Sequence, residues 1–204
     1  MGNYTASYTR TDNGLIRHNF TTDSEEYLNN LINVLFTGCY NCEAMAYYFD
    51  RSDIGLYGMA DFCRYGSFYV TRINKKVMDY VVERGGRICL ATITKPEWVS
   101  NTTPLKYLET LCVKLKELYN FGQKIHENAD IKNDPNLTDF LETELIEPLA
   151  LMIREIEVLW SNLSLAGSGL GEFEFNKDLE RYINQFMDEK LELLEETDLE
   201  EIWL

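Results

Sequence analysis

The sequence predicts an all-α fold: a four-helix bundle with one long crossover and an extended acidic fifth helix. Three observations predict it. Apolar residues recur at the 3.6-residue helical period in four long stretches. A linker of roughly 85–103 divides them into two pairs, as a bundle with a crossover requires. Pro104, Pro135 and the Gly85-Gly86 pair stand where those stretches begin or end.

The first stretch, 22–49, places Leu28, Leu31, Ile32, Leu35, Phe36, Cys39, Cys42 and Met45 on one stripe, with Asp23 or Ser24 as its cap. The second, 56–83, repeats the pattern with Met59, Phe62, Cys63, Val70, Ile73, Val77 and Tyr80 before Gly85-Gly86 stops it. The linker holds a β-prone run, Arg87-Ile88-Cys89-Leu90. The third stretch, 104–132, carries Leu105, Leu108, Leu111, Cys112, Leu115, Leu118 and Ile125. Asn133-Asp134-Pro135 breaks the chain, with Pro135 opening the fourth stretch, 136–165. Pro148 lies inside that stretch and is expected to kink it. Each long helix would span about 40 Å. After the hinge Ala166-Gly167-Ser168-Gly169, a last amphipathic segment carries Leu179, Tyr182, Ile183, Phe186, Leu191 and Leu194. The expected division is a flexible 1–15, a bundle over 16–167 and an acidic extension over 168–204.

The 204 residues carry a net charge of −15, of which −9 falls in residues 168–204. Such acidity argues against nucleic acid as a partner. No apolar run approaches the roughly 20 residues a membrane helix needs. The start lacks an apolar signal core, and Ala6 stands where a myristoylation motif wants Ser or Thr. With five cysteines, an odd number, the expectation is reduced thiols in the cytoplasm. The sequons at Asn3, Asn19, Asn101, Asn136 and Asn162 are then chance occurrences. Cys39-x-x-Cys42, Cys63 and Cys112 sit on helical stripes, which suits core packing; a thiol or metal role is the alternative.

Five word-like motifs lie in order along these stretches. They are Ala46-Tyr47-Tyr48-Phe49-Asp50-Arg51, Glu83-Arg84-Gly85-Gly86-Arg87-Ile88, Lys95-Pro96, Lys132-Asn133-Asp134-Pro135 and Asp139-Phe140-Leu141-Glu142-Thr143. Together they resemble ferritin, and from about Ile16 to Leu163 the chain follows the animal heavy-chain pattern without a gap. The resemblance implies a ferritin-like four-helix bundle that assembles into a hollow cage. It does not by itself establish iron chemistry.

A di-iron bundle site needs carboxylates and a Glu-x-x-His pair. The two histidines, His18 and His126, have Leu15 and Gln123 three residues earlier, so no such pair exists. By resemblance, the ferroxidase positions are occupied by Leu35, Cys42, Tyr69, Val70, Ile73, Leu115 and Leu149. The expectation is no ferroxidase activity, no catalytic residue and no tightly bound cofactor. Light-type ferritins keep carboxylates on the cavity face of the second helix; here that face reads Tyr65, Phe68, Tyr69, Arg72 and Lys75. The positions lining the family's three-fold entry channel are Asp139, Glu142 and His126, a route for iron or other cations if a cage forms. They also fit a solvated turn. The four-fold channel positions are Glu174 and Asp178, where like charges would crowd.

The resemblance thus implies an inactive ferritin subunit that forms a homo-oligomer or co-assembles with active ferritin subunits. The alternative is a non-iron ferritin-like oligomer acting as a chaperone or interaction scaffold, as in artemin. The acidic tail is the greatest departure from the pattern. It either turns into the cavity, where it would meet Arg72, Lys75 and Lys76, projects outward, or packs loosely.

Overall fold

The computed structural model describes residues 16–95 and 102–196, with side chains described as far as 185. The expected flexible stretch 1–15, Pro96 of the Lys95-Pro96 motif and the last residues, Glu200 to Leu204, lie outside the described residues. Helix α1 spans Thr22–Phe49. Its cap is Thr21, not Asp23 or Ser24: Thr21 Oγ1 accepts the Ser24 N–H at 3.2 Å. Thr21 is the last extended residue, so only its side chain can fold back over the free N–H groups of the first turn. Asp23 instead lies in that turn and pairs with Lys132 at 2.9 Å.

Helix α2, Tyr57–Glu83, runs back along α1. Gly85 closes it with φ +75, donating to the Val82 carbonyl while Gly86 donates to that of Val81. A side chain at Gly85 would strain this left-handed turn. Helix α3, Pro104–Ile131, is capped by Thr103 and ends in the same way, with Asn133 at φ +53. Asp134 then caps helix α4, Pro135–Leu141, accepting the Leu137 N–H at 3.2 Å. The same buried carboxylate meets Arg84 at 2.9 Å, tying the α3–α4 corner to the end of α2.

The expected kink at Pro148 takes the form of a π-helical turn, Glu142–Ile146, leading into helix α5, Glu147–Ala166. There the Glu147 N–H reaches back five residues to the Glu142 carbonyl. The widened turn accommodates the missing donor and the ring of Pro148 without stopping the fourth bundle helix. The core joins residues of all four bundle helices, including Leu28, Leu35, Met59, Leu108, Ile125 and Leu141.

The β-prone crossover run forms no strand among the described residues. It lies against side chains of α1 instead. Asn29 donates to the Arg87 carbonyl and accepts from the Cys89 N–H at 2.9 and 2.7 Å. Asn33 does the same for Cys89 and Ala91 at 3.2 and 2.7 Å, and Glu25 accepts the Arg87 N–H. Residues 25, 29 and 33 are four apart, so one helix face supplies the donors and acceptors that a neighbouring strand would.

Gly167 and Gly169, at φ +75 and +77, reverse the chain into helix α6, Leu170–Glu196. This helix packs on α2 and α5. Leu179 and Ile183 enter the core, each worth about 1.5–3 kcal/mol of burial. Asn176 is 3% exposed, and its Oδ1 accepts the Met59 N–H at 3.0 Å, satisfying a free donor at the start of α2. Close contact at this corner depends on Gly58, where a Cβ would sit 2.0 Å from the Asn176 carbonyl oxygen. The later stripe residues Phe186, Leu191 and Leu194 lie outside the described side chains.

Candidate functional site

Three constellations singled out by sequence can now be located. The first is the bundle centre. Leu35 of α1, Ile73 of α2, Leu115 of α3 and Leu149 of α5 are all buried in one core, with Tyr69 and Val70 half-buried against it. These side chains offer van der Waals contact where a metal site would need lone pairs. Among the described residues, no group of three or more His, Cys, Asp or Glu side chains is placed to hold a metal ion.

Cys42 and Cys63 are also buried there, with the Tyr107 hydroxyl hydrogen-bonded between their thiols. Burial pushes the Cys42 thiol from its ordinary 9 up to about 11, a shift that the Tyr107 hydrogen bond partly offsets. Burial raises Cys63 as well, and Tyr107 far above the ordinary phenol range. These groups are therefore held neutral. Cys39 contacts the Thr71 hydroxyl at 3.3 Å, and Cys112 lies 3.6 Å from a Glu157 carboxylate oxygen that also pairs with Lys116.

A pH dependence follows. The unfolded Cys42 thiol releases its proton near pH 9, whereas the folded one holds it to about 11. Stability is thus full below pH 9 and falls as pH rises through that window. The expected loss is up to roughly 2–3 kcal/mol from this thiol. Urea midpoints measured from pH 8 to 11 should fall, and fall less steeply in Cys42→Ala. Equal slopes would refute the assignment.

The second constellation is the α3–α4 corner. His126 Nε2 and Glu142 Oε1 are 2.7 Å apart, which joins α3 to the start of the π turn. Asp139 lies one helical turn before Glu142 and is exposed. The structure therefore brings His126 and Glu142 together and leaves Asp139 on the same rim, unpaired by any ion pair among the described residues. His126 and Glu142 are therefore taken up by each other, and with Asp139 they form no metal-holding group among the described residues.

The third is α6. Glu174 and Asp178 are exposed, one turn apart, and Asp178 pairs with Arg181 at 2.6 Å. Arg181 thus balances the charge of Asp178 within the helix as an i,i+3 partner. Both carboxylates border a groove between α2, α5 and α6. Of the three basic residues that an inward tail would meet, Lys76 is engaged elsewhere, with Glu144 at 2.5 Å. Sequence reasoning missed three features here: the Asn176 contact, the Lys76–Glu144 pair and the groove. Their only sequence signal was an Asn inside an apolar stripe.

The comparisons with known proteins agree with this architecture. The ferritin family, described as a ferritin-like domain, matches residues 25–166. The chain is 33% identical to the soma ferritin of Lymnaea stagnalis over 79% of its own length and 93% of that protein's. It is 34% identical to the ferritin lower subunit of Aquarana catesbeiana over 79% of this chain and 95% of that one. With the ferritin middle subunit of the same species it shares 32% identity over 79% of this chain and 94% of the relative. The match covers the bundle and ends before α6 begins. A helical bundle with a crossover, matched end to end by ferritins, places this chain in the ferritin family.

Proposed function

We propose that this chain is a ferritin subunit without ferroxidase activity, which contributes shell and entry channels to an iron-storage-type cage in the cytoplasm. It assembles alone or beside active ferritin subunits. The observation that carries the reading is the apolar packing of Leu35, Ile73, Leu115 and Leu149 where the resemblance puts iron ligands. Iron is cargo in this reading, and it enters past His126, Glu142 and Asp139. Stopped-flow mixing with Fe(II) and oxygen tests it. The expected trace shows only slow autoxidation; a fast phase that saturates at a fixed iron-to-chain ratio would overturn it. Native mass measurement tests assembly, with a closed cage expected and a stable monomer or dimer counting against it.

Within the acidic extension, the described part of α6 supports an inward placement. α6 packs beside Tyr65 and Tyr69, which the resemblance assigns to the cavity face. Limited proteolysis of assembled particles should leave α6 intact. This covering of the mineral face also favours a second reading, a non-iron cage that serves as a chaperone or scaffold. Iron content after Fe(II) loading separates the two: a mineral core supports storage, and an iron-free particle that suppresses client aggregation supports the scaffold.

A further inference from the structure

The groove between α2, α5 and α6 encloses about 940 Å³. That is at the upper end of the range for small-molecule sites. Its wall from α6 lies beyond the family match, whereas its walls from α2 and α5 lie within it. Two chemistries meet in it. Phe62, Leu159, Phe175 and Leu179 supply an apolar floor. Glu147, Glu155, Glu174 and Asp178 supply carboxylates at the wall, and no Lys, Arg or His lines it.

The carboxylates are not equivalent. Asp178 is neutralised by Arg181, and Glu155 lies 4.0 Å from Arg154. Glu147 and Glu174 enter no ion pair among the described residues. Aromatic faces complete the wall: the Tyr65 and Tyr69 rings stand 6.3 Å apart, with Tyr182 opposite on α6. Carboxylates and aromatic rings both attract a cation, and they do so most strongly where water is partly excluded. An anionic amphiphile would meet only like charge there.

We propose that this groove binds an amphiphile with an apolar body and a quaternary-ammonium or protonated-amine head, the head lying between Glu147, Glu174 and the tyrosine rings. The proposal stands whether or not the cage stores iron.

Isothermal titration of the full-length protein tests it, with decyltrimethylammonium below its micelle concentration and decanoate as the matched anion. Saturable binding of the cation, one per chain, is expected, with decanoate at least about tenfold weaker. Glu147→Gln combined with Glu174→Gln should erase that preference, with the melting temperature unchanged because both side chains are exposed. Leu151→Trp, at an exposed position on the groove wall, should block both ligands while the melting temperature stays unchanged. Equal affinity for the anion, non-saturating uptake, or undiminished binding in Leu151→Trp would overturn the proposal. So would no binding at all, the result expected if a second copy fills the groove.

Discussion

Leu35→Glu will destabilise the bundle by about 3–5 kcal/mol rather than restore an iron ligand. The substitution puts back the acidic residue type that the resemblance assigns to this position. Leu35 is 1% exposed and surrounded by apolar side chains of the core. A carboxylate there would lose its hydration and find no cation, because the other positions that the resemblance assigns to a metal are Cys42, Tyr69, Val70, Ile73, Leu115 and Leu149, none of them charged. It would either stay ionised at that cost or take up a proton and lose Leu packing. Urea denaturation reads the effect directly. A midpoint within error of the parent protein would show that the site still accommodates charge and would undercut the case for an inactive centre.

Gly58→Ala will release α6 from the bundle. The added methyl would lie 2.0 Å from the Asn176 carbonyl oxygen and 2.8 Å from the Glu180 backbone nitrogen. Both are backbone atoms of α6, so a rotamer change cannot relieve the clash. Either α2 shifts at its first turn, or α6 leaves. The second outcome is cheaper, because the hinge at Gly167 and Gly169 can swing the helix without disturbing the core of α1 to α5. Leaving would expose Leu179 and Ile183 and unpair the Met59 N–H from Asn176, a cost of several kcal/mol in all. The expected result is protease cleavage near 167–169 and increased binding of a hydrophobic dye, with the bundle's main unfolding transition kept. Asn176→Ala should move in the same direction by less, since it removes one hydrogen bond without a clash. An α6 that stays protected in Gly58→Ala would mean that its docking does not depend on this corner.

Much of the bundle was legible because its signals are local. Helix ends at Gly85 and Asn133 announce themselves through residue types that tolerate positive φ, and Pro104 and Pro135 mark starts where a missing N–H costs nothing. The cap of α1 was misread by two or three residues because Thr21, Thr22, Asp23 and Ser24 are all competent caps. The choice among them belongs to where the chain turns. Pro148 announced a disturbance but not its form, since a kink and a π turn both accommodate a missing donor. The candidate channel residues were legible only through resemblance. The 2.7 Å approach of His126 and Glu142 spans two helices and has no sequence period to betray it.

The amino-acid sequence by itself determined the helices, the crossover, the absence of a Glu-x-x-His pair and the concentration of charge in the last 37 residues, because each depends on spacing or composition along one segment. Tertiary structure alone decided how the crossover is held, through Asn29 and Asn33, and where α6 goes. The amphipathic stripe of α6 required a partner but named none. Gly58 leaves room for the Asn176 backbone and Asn176 accepts the Met59 N–H, and these two contacts turned an acidic extension into the wall of an apolar groove. Such selection depends on shape complementarity between residues more than a hundred positions apart, which no local pattern encodes.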